Sequence, residues 1–312
     1  MEQLSDLFTQ FMRERSSAGA AEATLRGYES SYKLFTKLMP DTGPKDISKD
    51  TLVNFFEKLR TRERSPQESK KERGVENTTL ITYRNKLGSF FNWLVIRGNI
   101  ESSPFKGLKM AKPVERGRKY LVREEIERIF SAISFNIKWK NNLIKKRNLA
   151  IIAVAVFLGL RKGELLGLKL SDINLDKRLL LVRGEESKSK RNREASINNV
   201  AFGTLLDYLE ERKKKKYQNI YLFVSDNKDM RFTDHGLKHM LAKVESSVGF
   251  KFHMHQFRHT FAVNVRYKGG DALEVMLRLG HSDLRMTENY LRGFPINSMR
   301  GGLKDCGIGD LI

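Results

Sequence analysis

The chain has 312 residues, 40% of them hydrophobic, which is enough for two ordinary domains with separate cores. With 58 basic and 37 acidic residues its formal net charge is +21, so we expect a polyanionic partner, DNA or RNA, although a merely soluble basic surface would have the same composition. The single cysteine, Cys306, excludes an internal disulfide and indicates a reducing compartment.

Four amphipathic helices are predicted in the first part of the chain, because apolar side chains recur there at helical spacing. They cover residues 3–15, 22–39, 48–59 and 79–97. Ser48 is the expected N-cap of the third helix, and Asn77 or Thr78 that of the fourth. Residues 60–76 are highly charged and contain proline and glycine, so we expect a loop. The result is a predicted helical domain, which could serve DNA binding or oligomerisation.

The segment 109–119, KMAKPVERGRK, is predicted to be a linker, because it combines proline and glycine with five basic residues. It separates a helical domain, residues 1–108, from a second domain, residues 120–312. Basic residues of the fourth helix and of the linker are candidates for contact with nucleic acid, with a solvated surface as the alternative. These candidates are Arg84, Lys86, Arg97, Lys112, Arg116 and Arg118.

The second domain is predicted to contain a deeply buried helix over residues 149–159, preceded by another near 123–134. The apolar run Leu149–Leu160 is too short to cross a bilayer, and the N-terminus has no signal-peptide pattern. We therefore expect a cytoplasmic protein without membrane contact. Arg161 comes just after the buried helix, so its charge must meet an anion, either Glu164 or a bound phosphate, and we expect both, with Glu164 orienting the group.

Two short strands, residues 179–183 and 194–197, are predicted to flank the charged turn GEESKSKRNR. Taken by itself, such a turn is a solvated hairpin tip. Further helices are expected over residues 201–216 and 237–248, and residues 221–224 form a short strand or a buried turn. The predicted fold is therefore mainly α with a small β-sheet.

The segment 253–294 carries the most specific spacing of the chain, namely His255-x-x-Arg258, Leu279-Gly280-His281 and Thr287-x-x-Tyr290. A guanidinium matches two phosphate oxygens, and imidazoles donate hydrogen bonds or exchange protons near neutral pH. A phenol can form a covalent intermediate. Together these groups suit nucleophilic attack on a phosphodiester.

Rigid elements are predicted to carry these groups. A helix is expected over residues 257–268, where apolar residues at four-residue intervals form a buried stripe, with His255 just before the helix. Asp271 is the expected start of a second helix, about 272–279, whose glycine stop places His281 at a helix end. A third, short helical segment with a threonine cap is expected to carry the phenol.

This spacing, together with Gly-Leu-Arg161-x-Gly-Glu164-Leu, resembles the tyrosine recombinase (phage integrase) family. The resemblance implies an N-terminal SAM-like, core-binding domain that clamps DNA and a C-terminal α+β catalytic domain. It implies site-specific cleavage and rejoining of double-stranded DNA through a 3′-phosphotyrosyl intermediate, by a homo-tetramer on two DNA sites. Integration or excision of a mobile element and resolution of chromosome dimers are both compatible with it.

The same resemblance implies roles for single residues. The catalytic positions of the family are matched by Arg161, Lys188, His255, Arg258, His281 and the nucleophile Tyr290, with Glu164 in support. The arginines hold the phosphate, and the histidine after Gly280 adds a hydrogen bond. Lys188 protonates the leaving 5′-oxygen, with Lys190 as the alternative, and His255 helps to remove the phenolic proton. Lys190 and Arg191 are also candidates for DNA contact.

No cofactor and no metal are expected. His235 and His239 lie four residues apart but lack the glutamate of zinc-binding helices, and no phosphate-binding glycine loop is present. The alternatives to recombination are a type IB topoisomerase-like nicking-closing enzyme and a DNA-binding regulator without chemistry. No arm-binding domain is expected before residue 3, and by resemblance the tail after Tyr290 can dock on a neighbouring protomer.

Overall fold

The chain forms two compact units, Met1–Arg116 and Gly117–Ile312, in a computed structural model. The residues that the structure describes are 3–40, 43, 46–61, 75–111, 120–184, 192–226, 229–281, 283 and 287. Each unit has a hydrophobic core of its own. The division into domains 1–108 and 120–312 with the linker 109–119 stays a prediction.

In its described part, the first unit consists of four helices, as predicted. They are α1 (Leu4–Ser17), α2 (Glu22–Leu38), α3 (Lys49–Thr61) and α4 (Asn77–Ile96). Ser48 caps α3 as expected, since its hydroxyl accepts a hydrogen bond from the backbone N–H of Thr51 at 3.2 Å. The predicted cap of α4 was wrong: Asn77 is already helical, and the cap position is Glu76, which makes no side-chain capping bond.

The core of the first unit is rich in aromatic side chains. Phe8 stacks on Tyr32 with ring centroids 3.9 Å apart, and the edge of Phe90 meets Phe8 at 5.2 Å. Rings in these arrangements contribute attraction beyond their buried area. The apolar stripes of α1, α2 and α4 meet in this cluster, which is why their spacing in the sequence was informative.

The second unit consists of seven α-helices, a short 3-10 helix (Leu170–Asp172) and one small sheet within its described residues. The helices are α5 (Arg123–Ser131), which continues as a π-helical turn (Ala132–Asn136), α6 (Asn142–Leu158), α7 (Lys162–Gly167), α8 (Asn199–Lys214), α9 (Asp234–Val248), α10 (Met254–Tyr267) and α11 (Ala272–Leu279). The strands are β1 (Ile173–Asn174), β2 (Leu179–Val182) and β3 (Arg193–Ser196), which pair antiparallel in the order β1-β2-β3.

Helix α6 forms the centre of this unit, and its predicted start at residue 149 was wrong. The helix begins at Asn142, because the Asn141 side chain accepts a hydrogen bond from the backbone N–H of Ile144 at 3.0 Å. Arg147 therefore lies inside the helix and is buried, with its guanidinium 4.0 Å from the centroid of the Phe232 ring. Its Nη1 donates to the carbonyl oxygen of Val224 at 2.9 Å, and its Nε and Nη2 donate to Oδ1 of Asn148 at 3.2 and 3.0 Å. These hydrogen bonds and the ring contact satisfy a basic residue that the pattern had placed outside the core.

The sheet sets which side chains of the hairpin face the core. Val182 pairs with Arg193, and Leu180 pairs with Ala195. Leu180 and Val182 are buried, so the side chains of Arg193 and Ala195 lie on the core-facing side of β3. Residues 221–224 make isolated bridges rather than a strand.

Helices α10 and α11 carry the motifs of the C-terminal segment. Helix α10 begins at Met254, so His255 lies in its first turn and not before the helix as predicted; the backbone N–H of His253 donates to Gln256 at 3.0 Å and closes this helix end. The predicted stripe on α10 is buried. Asp271 caps α11 as expected, accepting from the N–H of Glu274 at 2.7 Å. Within the described residues, no helix is long and apolar enough to span a membrane.

Candidate active site

The turn from α6 to α7 places Arg161 beside α10. Gly159 ends α6 in the left-handed region, with φ +63°, and a Cβ atom at this position would lie 2.4 Å from the ring of Phe261 on α10. Glycine is therefore required both by the backbone and by the close approach. Arg161 follows as the residue that caps α7, on the short segment between two fixed helices.

Glu164 is the carboxylate around which the site is built, and it is fully buried. Its Oε2 accepts the backbone N–H of Arg161 at 2.9 Å, and its Oε1 accepts Nη1 of Arg161 at 2.8 Å. From the sequence we expected Arg161 to meet both anions, with Glu164 orienting the group and a DNA phosphate receiving it. The structure contains the Arg161–Glu164 pair, which orients the guanidinium in the protein itself.

Arg193 is a third member of this cluster that the sequence analysis missed. From β3 its Nη2 donates to Oε2 of Glu164 at 2.7 Å and its Nη1 to Oε1 at 3.2 Å. Its Nε donates to the carbonyl oxygen of Arg278 at 3.2 Å. The predicted strand began at residue 194 and so placed Arg193 in the turn, which was wrong. In the structure β3 begins at Arg193, whose side chain lies on the same face as Ala195, where a charge needs a buried partner.

Arg258 lies deepest in the site, with a side chain that is 1% exposed. Its Nη1 donates to the carbonyl oxygen of Gly159 and its Nη2 to that of Leu279, each at 2.7 Å. These carbonyls belong to the C-terminal ends of α6 and α11, which favour a positive charge. Nη1 of Arg258 is also 3.9 Å from Oε2 of Glu164. Arg258 thus joins the two helix ends from which Arg161 and His281 follow.

His281 and Thr287 form a buried pair. The backbone N–H of His281 donates to the carbonyl oxygen of Met276, and its ring Nδ1 lies 2.9 Å from the hydroxyl of Thr287. Thr287 had been expected to cap a short helical segment; in the structure its hydroxyl orients the imidazole of His281. Both side chains are buried, so this orientation is protected from water.

His255 lies at the exposed end of the same site. Its ring meets the ring of His259, one turn further along α10, edge to face at a centroid distance of 4.9 Å. His259 is buried, whereas His255 is exposed on the first turn of the helix. An exposed imidazole in contact with a buried one is a suitable group for proton exchange.

The charges of the cluster perturb two titratable groups. Burial alone raises the pKa of Glu164, but the hydrogen bonds and charge of Arg193, with the bonds from Arg161, outweigh it and lower this pKa to about 2. Burial, and then the positive charges of Arg258, Arg161 and Arg193, lower the pKa of His281 to about 3. At neutral pH the site therefore contains a carboxylate, three guanidinium groups and a neutral imidazole, which leaves a net positive charge for an anion.

Several predicted residues fall outside the described part of the chain. They are Lys188, Lys190, Arg191, Tyr290, Lys112, Arg116 and Arg118. In the first unit, Nζ of Lys86 lies 4.5 Å from the centroid of the Tyr28 ring, and Arg97 pairs with Glu14. Arg84 is half-buried on α4. The roles of these residues toward nucleic acid stay predictions.

The described residues contain no group of three or more metal-ligating side chains close enough to hold an ion. His235 and His239 are both exposed on α9.

The fold and the site together define a two-unit, mainly helical protein with a fixed arginine cluster for an anion such as a phosphate. Residues 119–295 match the phage integrase family, and residues 3–112 match the phage integrase SAM-like domain. The chain belongs to the phage integrase family.

Two tyrosine recombinases align with nearly the whole chain. Tyrosine recombinase XerC of Bacillus pumilus is 26% identical and aligns over 93% of this chain and 91% of its own length. Tyrosine recombinase XerD of Listeria innocua is 25% identical over 93% of this chain and 94% of its own. The predicted family and the predicted class of enzyme, a site-specific DNA recombinase, are confirmed by these matches.

Solved structures share the fold. The integrase of transposon Tn1549 in complex with transposon right end DNA is similar with a TM-score of 0.71 and 16% identity, over 97% of this chain and 98% of its own. A lambda integrase dimer bound to a COC′ core site is similar with a TM-score of 0.69 and 19% identity, over 94% and 79%. The predicted SAM-like domain followed by a catalytic domain is thereby confirmed as the fold class.

Proposed function

We propose that this recombinase cuts and rejoins double-stranded DNA through a covalent bond between Tyr290 and a 3′-phosphate. The observation that carries the proposal is the pair of guanidinium groups, Arg161 and Arg258, fixed around the buried carboxylate of Glu164 in a chain of the phage integrase family. Relatives named as recombinases, and integrases solved in complex with DNA, support the same substrate.

Arg161 and Arg258 bind the non-bridging oxygens of the scissile phosphate and stabilise the charge that develops on them. Their orientation is set before DNA arrives, because Glu164 accepts from Arg161 and two backbone carbonyls accept from Arg258. Preorganised donors of this kind need no rearrangement in the transition state. One phosphoester bond is exchanged for another, so no energy source such as ATP is required.

His281 adds a hydrogen bond to the phosphate as a neutral imidazole, consistent with its pKa of about 3, which burial and then the neighbouring arginines lower. The Thr287 hydroxyl lies 2.9 Å from Nδ1. When this hydroxyl donates to Nδ1, the ring proton resides on Nε2, which then is the donor toward a phosphate oxygen. In that direction the hydrogen bond from Thr287 stabilises the tautomer that the mechanism requires.

The covalent step exchanges one bond for another. The phenolic oxygen of Tyr290 bonds to phosphorus while the bond from phosphorus to the 5′-oxygen breaks. His255 helps to take the phenolic proton, and Lys188, or else Lys190, gives a proton to the 5′-oxygen. In the second step the 5′-hydroxyl of a partner strand attacks the phosphotyrosine, and Tyr290 leaves.

The partners follow from the same proposal. The basic residues named above contact the DNA backbone, from the helical unit, the linker and the hairpin, and they position the duplex without reading its sequence. The enzyme acts in the cytoplasm as a homo-tetramer on two DNA sites, since exchange between two duplexes requires four strand cleavages. A lambda integrase tetramer bound to a Holliday junction has the same fold and supports this assembly.

The test is trapping on a suicide substrate, a duplex with a nick next to the target phosphate, so that the released fragment diffuses away. We expect the full-length protein to form a covalent adduct without added metal, and Tyr290→Phe to bind the same DNA without forming it. An adduct with Tyr290→Phe would refute the assignment of the nucleophile. Relaxation of supercoils without strand exchange would favour a nicking-closing enzyme, and binding without any adduct would favour a regulator.

A further inference from the structure

Arg193, the first residue of β3, has no role in the mechanism above, yet it lies inside the arginine cluster. We propose that Arg193 is a positioning residue, which fixes Glu164 and the C-terminal end of α11 relative to each other and so aligns Arg161 and His281 for the chemical step. The inference rests on the proposed function, because it assigns a part in that reaction.

Arg193 donates hydrogen bonds to both carboxylate oxygens of Glu164. Nη2 donates to Oε2 at 2.7 Å and Nη1 to Oε1 at 3.2 Å, and the two side chains are 9% and 0% exposed. A bidentate pair is geometrically specific, and a buried one cannot rearrange without exposing or stranding a charge. Arg193 therefore fixes the plane of the carboxylate from which Arg161 is oriented.

Arg193 also sets the position of the α11 end. Its Nε donates to the carbonyl oxygen of Arg278 at 3.2 Å. A Cβ atom at Gly280 would lie 3.0 Å from Nη1 and 3.1 Å from Cδ of Arg193, so the side chain passes directly over this glycine. Because His281 is the next residue, a displacement of the Arg193 side chain moves the imidazole that is to meet the phosphate.

The charge of Arg193 satisfies a carboxylate that would otherwise compete with the substrate. Oε2 of Glu164 is only 3.9 Å from Nη1 of Arg258, and Oε1 accepts from Arg161. Without Arg193, lone pairs on both oxygens would attract these guanidinium groups more strongly, in competition with the phosphate. With Arg193 in place, Glu164 orients the other guanidinium groups without competing with the phosphate for them.

The base of the hairpin carries this contact. The backbone N–H of Gly184 donates to the Asn192 side chain at 2.7 Å, and Val182 pairs with Arg193 in the sheet. Both ends of the charged turn are thus joined next to the arginine cluster. Because Arg193 belongs to the sheet and also bonds Glu164, the position of the sheet fixes the position of the carboxylate.

The experiment measures single-turnover cleavage of the suicide substrate by saturating full-length protein, with DNA affinity measured separately by gel shift. We expect Arg193→Ala to lower the cleavage rate about 100-fold, the scale of a misplacement of about 1 Å in an active site. DNA affinity should change less than about threefold, because surface phosphate contacts dominate it.

Arg183→Ala is the matched control. Arg183 also pairs with a buried carboxylate, donating from Nε to Asp172 at 2.6 Å, and it lies at the other end of the same turn. It has no bond to Glu164, so we expect its loss to change the cleavage rate less than about threefold. Equal rates for Arg193→Ala and Arg183→Ala would overturn the inference.

Two further variants make the test specific for the contact with Glu164. Arg193→Lys retains the charge but can reach only one oxygen, and should recover about tenfold of the lost rate. If Arg193→Ala does not fold, the comparison of Arg193→Lys with Arg183→Ala decides. In a Glu164→Gln background, Arg193→Ala should lower the cleavage rate by less than about a further tenfold, because the effects of residues that act as a unit are not additive. A full additional loss there would overturn the inference, whereas a wild-type protein without any adduct would overturn the proposed function instead.

Discussion

Replacing Glu164 by glutamine tests how strongly the arginine cluster depends on one buried charge. Glutamine retains the size of the side chain but presents an amide N–H₂ to guanidinium groups that can only donate. The pKa of Glu164 is lowered from 4.5 to about 2, so its ionised form is favoured in the folded protein. That difference of roughly 2.5 units corresponds to about 3 kcal/mol of stability at neutral pH, which Glu164→Gln should remove.

The sign of the pH dependence follows from the lowered pKa. The contribution of Glu164 is fully present above its ordinary pKa of 4.5 and is lost as the pH falls toward about 2. The difference between the wild-type protein and Glu164→Gln should therefore be constant from pH 7 to about pH 5.5. At pH 3.5 it should have fallen by about 1 kcal/mol.

The assay is urea unfolding of the full chain, followed by the fluorescence of Trp139 in a Trp93→Phe background. The chain has two tryptophans, and Trp139 is packed in the second unit, where its Nε1 donates to Ile133 at 2.9 Å. Glu125→Gln is the control, because Glu125 accepts a backbone N–H at 3.0 Å and has no guanidinium partner among the residues that the structure describes. Its effect should stay within about 0.5 kcal/mol. A loss below about 1 kcal/mol for Glu164→Gln at pH 7, or the same loss at pH 3.5, would refute the reasoning.

Three more substitutions probe single contacts of the second unit. Arg258→Lys should lower its free energy of unfolding by about 2 kcal/mol, because lysine cannot reach both carbonyls that the guanidinium bonds; an unchanged urea midpoint would contradict this. Thr287→Val should slow cleavage about tenfold by leaving Nδ1 of the buried histidine without its hydroxyl, while Thr287→Ser should retain the rate. Equal rates for these two variants would argue against tautomer selection. Gly159→Ala should destabilise by about 3 kcal/mol through strain at φ +63° and a 2.4 Å clash. Gly203→Ala on α8 should stabilise slightly in the same unfolding assay, because within the described part of the chain nothing lies within 4 Å of the added Cβ.

Local patterns explain why so much of the site was predictable. The buried stripe of α10, the Asp271 cap and the glycine stops depend on residues within one or two helical turns, so their spacing is visible in the chain. The Arg161–Glu164 pair spans three residues and was expected from the sequence. Two of the errors, at the starts of α6 and α10, came from polar residues early in each helix, Lys145–Arg147 and His255–Gln256, which interrupt the apolar pattern.

By itself the sequence predicted two domains, most of the helices and strands, and a set of groups that suit attack on a phosphodiester. Only the tertiary structure decided which groups meet. Arg193 reaches Glu164 across 29 residues, and Arg258 bonds the carbonyl of Gly159 across 99. Contacts of this length depend on how separate elements pack and not on local periodicity, so no spacing rule reveals them. Arg193 and the contact between Thr287 and His281 were found only in the structure. The other described residues of the site had been predicted from the sequence.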